Sequence, residues 1–176
     1  MQQVYDAVIV GGGPAGVSCA VWLARLGLSP LLVEAAARLG GLTATHPFAD
    51  DWLAALPGAT GQQIAANLAQ STQAAGVPVS LRSPVAQVRV EENRYVVEPA
   101  GPREAGQGKT ARGHTLVIAS GVQARNLAGY PPQTRWPGVL VGPGSAIVTQ
   151  DYAGLSVAVL GGGDNAFENF VYVRGR

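Results

Sequence analysis

The sequence predicts an α/β fold built on a parallel sheet, and three observations carry this prediction. A short apolar run at residues 5–10 leads into the glycine-rich turn of residues 11–16 and then into a helix pattern. A second apolar run at residues 30–34 follows that helix, so strand, helix and strand form one β-α-β unit with parallel strands. The strand-and-glycine pattern returns at residues 157–166.

The composition describes a folded protein without a strong charge of either sign. Apolar residues make up 47% of the 176 residues and charged residues 13%, which is typical of a globular chain with a buried core. Twelve basic and eleven acidic side chains give a formal charge of +1, so the chain has no general field for nucleic acid. No apolar stretch reaches the ~18 residues of a membrane span. We expect a cytoplasmic protein that binds neither nucleic acid nor membrane.

Cysteine and histidine are too sparse for several kinds of chemistry. Cys19 is the only cysteine, which excludes intrachain disulfides, a C-x-x-C redox pair and cysteine-rich zinc sites. His46 and His114 lack the spacing of metal ligands, so no metal site is expected. We interpret Cys19 and Trp22 as packing residues of the first helix, with a reactive Cys19 as the alternative.

The helix patterns are placed by apolar spacing and by capping residues. A helix beginning near Pro14 and ending at Gly27 presents one apolar stripe to the core. The stripe consists of Val17, Val21, Ala24 and Leu28. Residues 60–63 have the sequence of a capping box and begin a second helix, which ends at Gly76. Residues 42–58 fit no regular period and predict a loop.

Shorter strands fill the middle of the chain, and two of them form a hairpin joined at residues 91–93. They are predicted at residues 77–81, 85–90 and 94–98. Residues 99–113 are rich in proline, glycine and charge and predict a surface loop. A buried strand at residues 114–119 then runs into Ser120-Gly121, small residues that let a ligand approach the carboxyl edge of the sheet. Residues 122–152 are loop-like.

The first glycine turn has the spacing of a dinucleotide-binding motif, G-x-G-x-x-G. Gly11 allows the tight turn, Gly13 lets the backbone approach a pyrophosphate, and Gly16 lets helix and strand pack closely. The free N–H groups of the helix that begins near Pro14 face the phosphates. Glu34 ends the next apolar run, where its carboxylate accepts hydrogen bonds from ribose hydroxyls and repels a 2′-phosphate. The alternative is a plain glycine-rich turn with a surface glutamate.

With its two glycine motifs, the chain resembles the flavoprotein disulfide reductases, which bind two dinucleotides. It most closely resembles their thioredoxin-reductase-like branch. The resemblance rests on the first glycine turn with Glu34 and on the diglycine Gly40-Gly41. It rests also on Ala119-Ser120-Gly121, where the family has Ala-Thr-Gly, and on residues 161–166, a G-x-G-x-x-A form of the motif. It covers nearly the whole chain.

The resemblance implies a Rossmann-type FAD-binding domain with a parallel sheet and a small antiparallel β-meander, followed by the first β-α of a second, NAD(P)-binding domain. The expected boundaries are 1–125 for the FAD-binding domain, 126–152 for a crossing segment and 153–176 for the incomplete NAD(P)-binding domain. The cofactors implied are FAD and NAD(P)H. The residues expected to contact them are Gly11, Gly13, Pro14, Ala15, Gly16, Glu34, Ala35, Gly41, Val85, Ala119, Ser120, Gly121, Gly161, Gly163, Asp164 and Ala166.

The chain departs from the family pattern in two places. Thioredoxin reductases proper have a C-x-x-C pair ahead of the second glycine motif, where this chain has residues 142–147 without cysteine. Thiol–disulfide exchange needs two sulfurs, so the resemblance narrows to ferredoxin-NADP reductases of the thioredoxin-reductase type. The second β-strand of the NAD(P) unit and the family's C-terminal Gly-Asp segment have no counterpart here. We therefore expect a truncated form or a fragment of a longer flavoprotein.

The activity implied is that of an FAD-dependent NAD(P)H oxidoreductase, in which hydride passes from nicotinamide to flavin and on to an acceptor other than an internal disulfide. Ferredoxin or another small electron carrier is the expected partner, and a homodimer is left open. Because the cofactors carry the chemistry, no catalytic side chain is expected. Asp50, Asp51 and Trp52 are candidate contacts to the flavin ring, with a solvated loop as the alternative. The competing function is a Rossmann-type module that binds a nucleotide without turnover.

Overall fold

The computed structural model describes residues 3–50, 53–54, 56–100, 109–122, 136–141 and 145–176. The elements in chain order are β1 (Val4–Val10), α1 (Pro14–Arg25), β2 (Pro30–Val33), a 3₁₀ turn (Gly41–Thr45), α2 (Gly61–Ala74), β3 (Val79–Ser80), β4 (Val85–Glu91), β5 (Arg94–Pro99), β6 (Ala111–Ile118), α3 (Ser145–Thr149) and α4 (Asp164–Arg174).

One six-stranded sheet, in the order β3-β2-β1-β6-β5-β4, organises these elements. β1 pairs in parallel with β2 and with β6, and β3 pairs in parallel with β2. β5 is antiparallel to both β4 and β6. The predicted α/β class, a parallel sheet with a small antiparallel part, is confirmed.

β6 joins the two parts of the sheet and begins earlier than predicted. Its first residues, 111–113, pair with β5, as Tyr95 with Gly113 and Val97 with Ala111, and residues 112–118 pair with β1 on the other side. The sequence predicts a surface loop at residues 111–113, because the polar residues around them mask the apolar pattern of the strand. The strand predicted at residues 77–81 contracts to β3 and belongs to the parallel part, since its partner is β2.

The hairpin between β4 and β5 forms as predicted. Glu92 and Asn93 both have positive φ, 48° and 58°, and Glu91 pairs with Arg94 across the turn. Two successive left-handed residues make the tight turn whose twist matches that of the flanking strands.

The two faces of the sheet are buried by different means. On one face α1 and the segment around Leu39 cover a cluster formed by Ile9, Val17, Ala20, Leu32, Leu39 and Val77. On the other face Val8 and Val33 of the parallel strands pack in one cluster with Val97 and Ala111 of the antiparallel part. Burying each of the larger aliphatic side chains stabilises the fold by about 1.5–3 kcal/mol.

The predicted apolar stripe of α1 is correct at its beginning and wrong at its end. Val17 and Ala20 are fully buried, whereas Leu28 is 42% exposed. α1 ends at Arg25, and Gly27 has the left-handed φ of +82° that turns the chain toward β2. Leu28 therefore lies beyond the helix and outside its period.

The strand expected at residues 157–160 does not form, although the helix after it does. Residues 155–160 have no strand hydrogen bonding within the described part of the chain. A strand needs a hydrogen-bonded neighbour, and the apolar pattern alone supplies none. α4 follows as predicted, but none of its residues is buried.

Aromatic contacts hold α4 against the rest of the chain. The ring of Tyr172 lies 5.2 Å from that of Phe48, which in turn meets His46 edge-on at 5.5 Å. The Tyr172 hydroxyl donates to the Val148 carbonyl of α3 at 3.4 Å, and the Arg176 guanidinium lies 4.8 Å from the Tyr172 ring. Tyr172 thus contacts both the loop at Phe48 and α3.

The described residues contain neither a candidate membrane span nor a candidate metal site. No helix among them has the length and apolar character to cross a membrane. No group of three or more His, Cys, Asp or Glu side chains in those same residues could hold a metal ion.

The tyrosine attachment makes a testable prediction. Phe48→Ala and Tyr172→Ala should each make the amide protons of α4 exchange about 3- to 10-fold faster, because a ring pair contributes about 0.5–1.5 kcal/mol. Exchange in α1 should not change. The control is Phe170→Ala, which removes a half-exposed ring from the same helix. Equal acceleration in the control would contradict the assignment.

Asp6 predicts a pH-dependent contribution to stability. Its Oδ2 accepts hydrogen bonds from the Ser29 amide at 2.7 Å and the Ser29 hydroxyl at 2.8 Å, which tie the start of β1 to the chain before β2. These bonds, with a smaller effect of His114, hold the pKa of Asp6 below its usual 3.8. The contribution is therefore complete above that value and is lost as the pH falls through the folded-state pKa.

Asp6→Asn should lower the urea midpoint at pH 7, and the difference from wild type should shrink below pH 4. Glu92→Gln, in the exposed β4–β5 turn, is the control. A difference that stays constant between pH 7 and pH 3 would assign the effect to something other than the carboxylate.

Candidate dinucleotide site

The carboxyl ends of three parallel strands bring the predicted site residues to one edge of the sheet. Gly11 follows β1, Glu34 follows β2, and Ala119 follows β6. The Gly11 amide donates to the Val33 carbonyl at 2.8 Å, and the Ala119 amide donates to the Val10 carbonyl at 2.8 Å. This edge is where open α/β sheets bind their ligands.

Gly11 and Gly16 are required by the fold itself. Gly11 has φ of +113°, and a Cβ there would lie 2.2 Å from the Ala119 carbonyl oxygen. A Cβ on Gly16 would lie 1.9 Å from the Gly11 carbonyl oxygen. Because both obstacles are backbone atoms that side-chain movement leaves in place, the tight turn and the approach of α1 to β1 depend on these two glycines.

Gly13 is different, because the fold makes no such demand on it. Its φ is −77°, an angle that any residue adopts. The nearest atom to a Cβ at this position is the Gly41 Cα, at the ordinary contact distance of 3.8 Å. The protein itself therefore leaves space for a methyl group at Gly13.

The N-terminus of α1 points its amides at that space. Gly13 is the N-cap residue, Pro14 follows it, and no side chain caps the helix. The first helical hydrogen bond runs from the Val17 amide to the Gly13 carbonyl, 3.0 Å. The amides of Ala15 and Gly16 precede that bond, and the first turn carries no acidic residue. Such a helix end is suited to an anion.

Glu34 is buried and held from several sides. Its Oε2 accepts the Gly12 amide at 2.6 Å, and its Oε1 accepts the Ala36 amide at 2.6 Å. Its backbone amide donates to the Ser80 carbonyl, 2.8 Å, and its carbonyl accepts from the Ser83 amide, 2.9 Å. Each carboxylate oxygen keeps a further lone pair for a hydroxyl donor. The bond to Gly12 was missed by the sequence reasoning, which assigned Glu34 to the ribose alone.

The diglycine forms the wall opposite the glycine turn. Gly40 has φ of +116° and Gly41 of +56°, and the Gly40 amide donates to the Gly12 carbonyl at 2.8 Å. A Cβ on Gly41 would lie 3.1 Å from the Gly13 Cα, so a side chain here would crowd the turn. The two backbones thus lie in contact, with no side chain between them.

The remaining predicted residues lie around this edge or apart from it. Ala35, Ser120 and Gly121 are exposed just after β2 and β6, and Val85 is half-buried at the start of β4. In the second motif Gly161 has φ of +136°, a Cβ there would lie 3.3 Å from that of Ala166, and Gly163 caps α4. The second-motif residues Gly161, Gly163 and Asp164 are exposed.

Two further predictions concern the candidate flavin contacts Asp50, Asp51 and Trp52 and the cysteine-free segment at residues 142–147. Asp51, Trp52 and residues 142–144 lie outside the described residues. Asp50 is half-buried, and its amide donates to the Ala59 carbonyl at 2.9 Å.

A parallel β-α-β unit with a glycine turn, an uncapped helix N-terminus and an acid at the end of β2 defines a Rossmann-type dinucleotide-binding domain. The family model described as pyridine nucleotide-disulphide oxidoreductase matches residues 5–172. The chain belongs to this family, and the resemblance inferred from its motifs is confirmed.

Individual relatives agree with the family assignment. Ferredoxin--NADP reductase of Limosilactobacillus fermentum is 32% identical over 176 residues, which cover 96% of this chain and 50% of that protein. Thioredoxin reductase of Coxiella burnetii is 28% identical over 174 residues, covering 97% of this chain and 50% of that protein. The chain spans about half the length of the curated relatives it matches.

A solved structure shows the same fold. Thioredoxin reductase from Streptococcus pyogenes MGAS5005 superposes with a TM-score of 0.61 at 22% identity, over 74% of this chain and 39% of that chain.

Gly16→Ala tests the structural role of the turn. The added methyl group meets a backbone oxygen, so the substitution should lower the free energy of unfolding by about 3 kcal/mol or prevent folding. Gly175→Ala is the matched control, since its Cβ would lie no closer than 3.7 Å to any neighbour. Urea denaturation followed by circular dichroism measures both. An unchanged midpoint for Gly16→Ala would contradict the close approach of α1 to the turn.

Proposed function

We propose that this chain is the flavin-binding part of an FAD-dependent NAD(P)H oxidoreductase. The observation that carries the proposal is Gly13, a motif glycine for which neither its backbone angles nor its neighbours require glycine. The Cβ position that it leaves free lies at the uncapped end of α1, in ordinary contact with Gly41. A pyrophosphate has the charge for such a helix end.

The residues present fit the adenosine and pyrophosphate portion of FAD. The amides of Ala15 and Gly16 would meet the phosphates, and the lone pairs left on Glu34 would accept the two ribose hydroxyls. A 2′-phosphate beside the buried carboxylate would meet like charge, so a cofactor with a free ribose diol is favoured. The backbone near Val85 would contact the adenine, and Ala35, Ala119, Ser120 and Gly121 would line the edge.

The chemistry would come from the cofactors rather than from side chains. FAD supplies a ring that accepts hydride from NAD(P)H and passes electrons to a further acceptor. This chain would bind and orient the cofactors. Gly161, Gly163, Asp164 and Ala166 would contact NAD(P)H. In this proposal, residues 1–125 form the FAD-binding domain, 126–152 the crossing segment and 153–176 the beginning of the NAD(P)-binding domain.

The electron acceptor in this proposal is a separate molecule. Cys19 is the chain's single cysteine, and an internal disulfide requires two. Two relatives are named for ferredoxin and for thioredoxin as partners. The absence of a cysteine pair favours ferredoxin or another small electron carrier over a disulfide relay.

A nucleotide-binding module without turnover is the second candidate. The observation in its favour is that residues 155–160 form no strand, while Leu160 ahead of the second glycine turn is 71% exposed. A loosely built second site would leave the first site able to hold a cofactor without receiving hydride.

Purification of the chain with added FAD separates the two candidates. The proposed function predicts a yellow protein that oxidises NADH or NADPH when ferricyanide is the acceptor. A yellow protein without NAD(P)H oxidation would favour the module. A colourless protein that does not bind FAD would overturn the proposed function.

Gly13→Ala tests the carrying observation directly. The methyl group fits the fold but occupies the space assigned to the pyrophosphate, so FAD affinity should fall at least ~10-fold while the urea midpoint stays unchanged. Quenching of flavin fluorescence measures the affinity, and Gly175→Ala is the control. Wild-type affinity in Gly13→Ala would show that the ligand does not use this space.

A further inference from the structure

Arg38 is a cation beside the candidate site. Between Arg25 and Arg82 it is the single lysine or arginine in the sequence. It lies in the segment that connects β2 to the 3₁₀ turn, and its Nη2 donates to the Ala44 carbonyl at 2.8 Å. Ala44 is the buried residue of that turn.

The bond to Ala44 supplies a partner that the turn lacks. The last carbonyls of a short helical turn have no partner within it. The Thr43 carbonyl receives the His46 amide at 3.1 Å, and the Ala44 carbonyl receives Arg38. A hydrogen bond from a guanidinium is stronger than one between neutral groups. Arg38 therefore fixes the end of the turn.

The beginning of the same turn packs against the glycine turn after β1. Gly41 is its first residue and contacts Gly13, with 3.1 Å between a Cβ built on Gly41 and the Gly13 Cα. The neighbouring Gly40 amide donates to the Gly12 carbonyl. A displacement of the turn would move Gly41 away from Gly13, so the wall beside the N-terminus of α1 depends on what holds the turn.

α2 holds the turn from the other side. A Cβ on Gly61 would lie 2.5 Å from the Thr43 carbonyl oxygen and 2.6 Å from that of His46. A Cβ on Gly40 would lie 2.5 Å from the Cβ of Ala65. Close contact with α2 prevents the turn from moving toward that helix, while the hydrogen bond from Arg38 holds the end of the turn in place.

We infer that Arg38 is a positioning residue, whose guanidinium holds the 3₁₀ turn so that Gly41 stays in contact with Gly13, beside the N-terminus of α1 where the pyrophosphate would bind. This role rests on the proposed function. It assigns to Arg38 the recognition of the phosphate part of the ligand and leaves the adenosine part to Glu34. Its positive charge also favours the ligand, so the test must separate position from charge.

The test uses three substitutions in the full chain with FAD and adenosine as probes. Arg38→Met removes both donor and charge and should weaken FAD about 10-fold. Adenosine lacks the pyrophosphate, so its affinity should change less than about 2-fold. Arg38→Gln keeps a donor without charge and should restore part of the FAD affinity, whereas Arg38→Lys keeps the charge. Arg25→Met, in the last turn of α1, is the control cation.

Hydrogen exchange without ligand gives an independent readout. The amides of residues 41–45 should exchange faster in Arg38→Met, less so in Arg38→Gln, and at the wild-type rate in Arg25→Met. Unchanged exchange in Arg38→Met would overturn the positioning role. A pure charge effect would also overturn the positioning role. In that case Arg38→Lys would bind FAD as wild type does, Arg38→Gln would bind as weakly as Arg38→Met, and the differences in affinity between the variants would disappear at 1 M salt.

The two proposals fail in distinguishable ways. A wild-type chain that does not bind FAD overturns both the proposed function and the role of Arg38 in FAD binding, while exchange at residues 41–45 still decides whether Arg38 holds the turn. A wild-type chain that binds FAD, with equal binding by Arg38→Met, overturns the role of Arg38 alone. An FAD loss matched by an equal adenosine loss would show a general structural defect.

Discussion

The buried carboxylate of Glu34 is the interaction on which this end of the molecule depends. A carboxylate removed from water is costly unless hydrogen bonds replace its hydration. Here the Gly12 and Ala36 amides, each at 2.6 Å, provide that replacement and join the end of β2 to the glycine turn after β1. The Gly40 amide then bonds the Gly12 carbonyl. Gly12 is thus held through both its polar groups, so the turn, the acid and the diglycine wall form one rigid unit.

The motif glycines do different work inside this unit. Gly11 and Gly16 lack side chains because the Ala119 and Gly11 carbonyl oxygens occupy the places where those side chains would go. Gly13 has an ordinary φ and open space beside it, so packing gives no reason for glycine there. The motif therefore contains glycines that the packing of the fold requires and a glycine that would be required only by a bound ligand. The distances distinguish the two kinds, and only the second kind bears on function.

The sequence was sufficient for the parallel unit and for less of what surrounds it. Strand, glycine turn, helix and acid are consecutive, so local pattern alone placed Gly11 and Glu34 at one edge. The pairing of Ala111 with Val97 and the bond from Arg38 to Ala44 join segments whose meeting depends on the folded chain, and neither has a local signal. The prediction of a strand at residues 157–160 is wrong for a related reason. An apolar run indicates that a segment could form a strand, but it does not show which strand would pair with it.

The two glycine motifs show that a shared sequence gives a shared turn but not shared rigidity. In both, a glycine with φ above 110° opens the turn and another glycine caps the helix. The first turn lies against Ala119, Glu34 and Gly40, which hold it in place before any ligand arrives. The second is exposed, and its helix is attached through Tyr172. Preorganisation comes from these neighbours, since a ligand that must order its own site loses affinity to that ordering. We therefore expect the first motif to bind its ligand more tightly than the second.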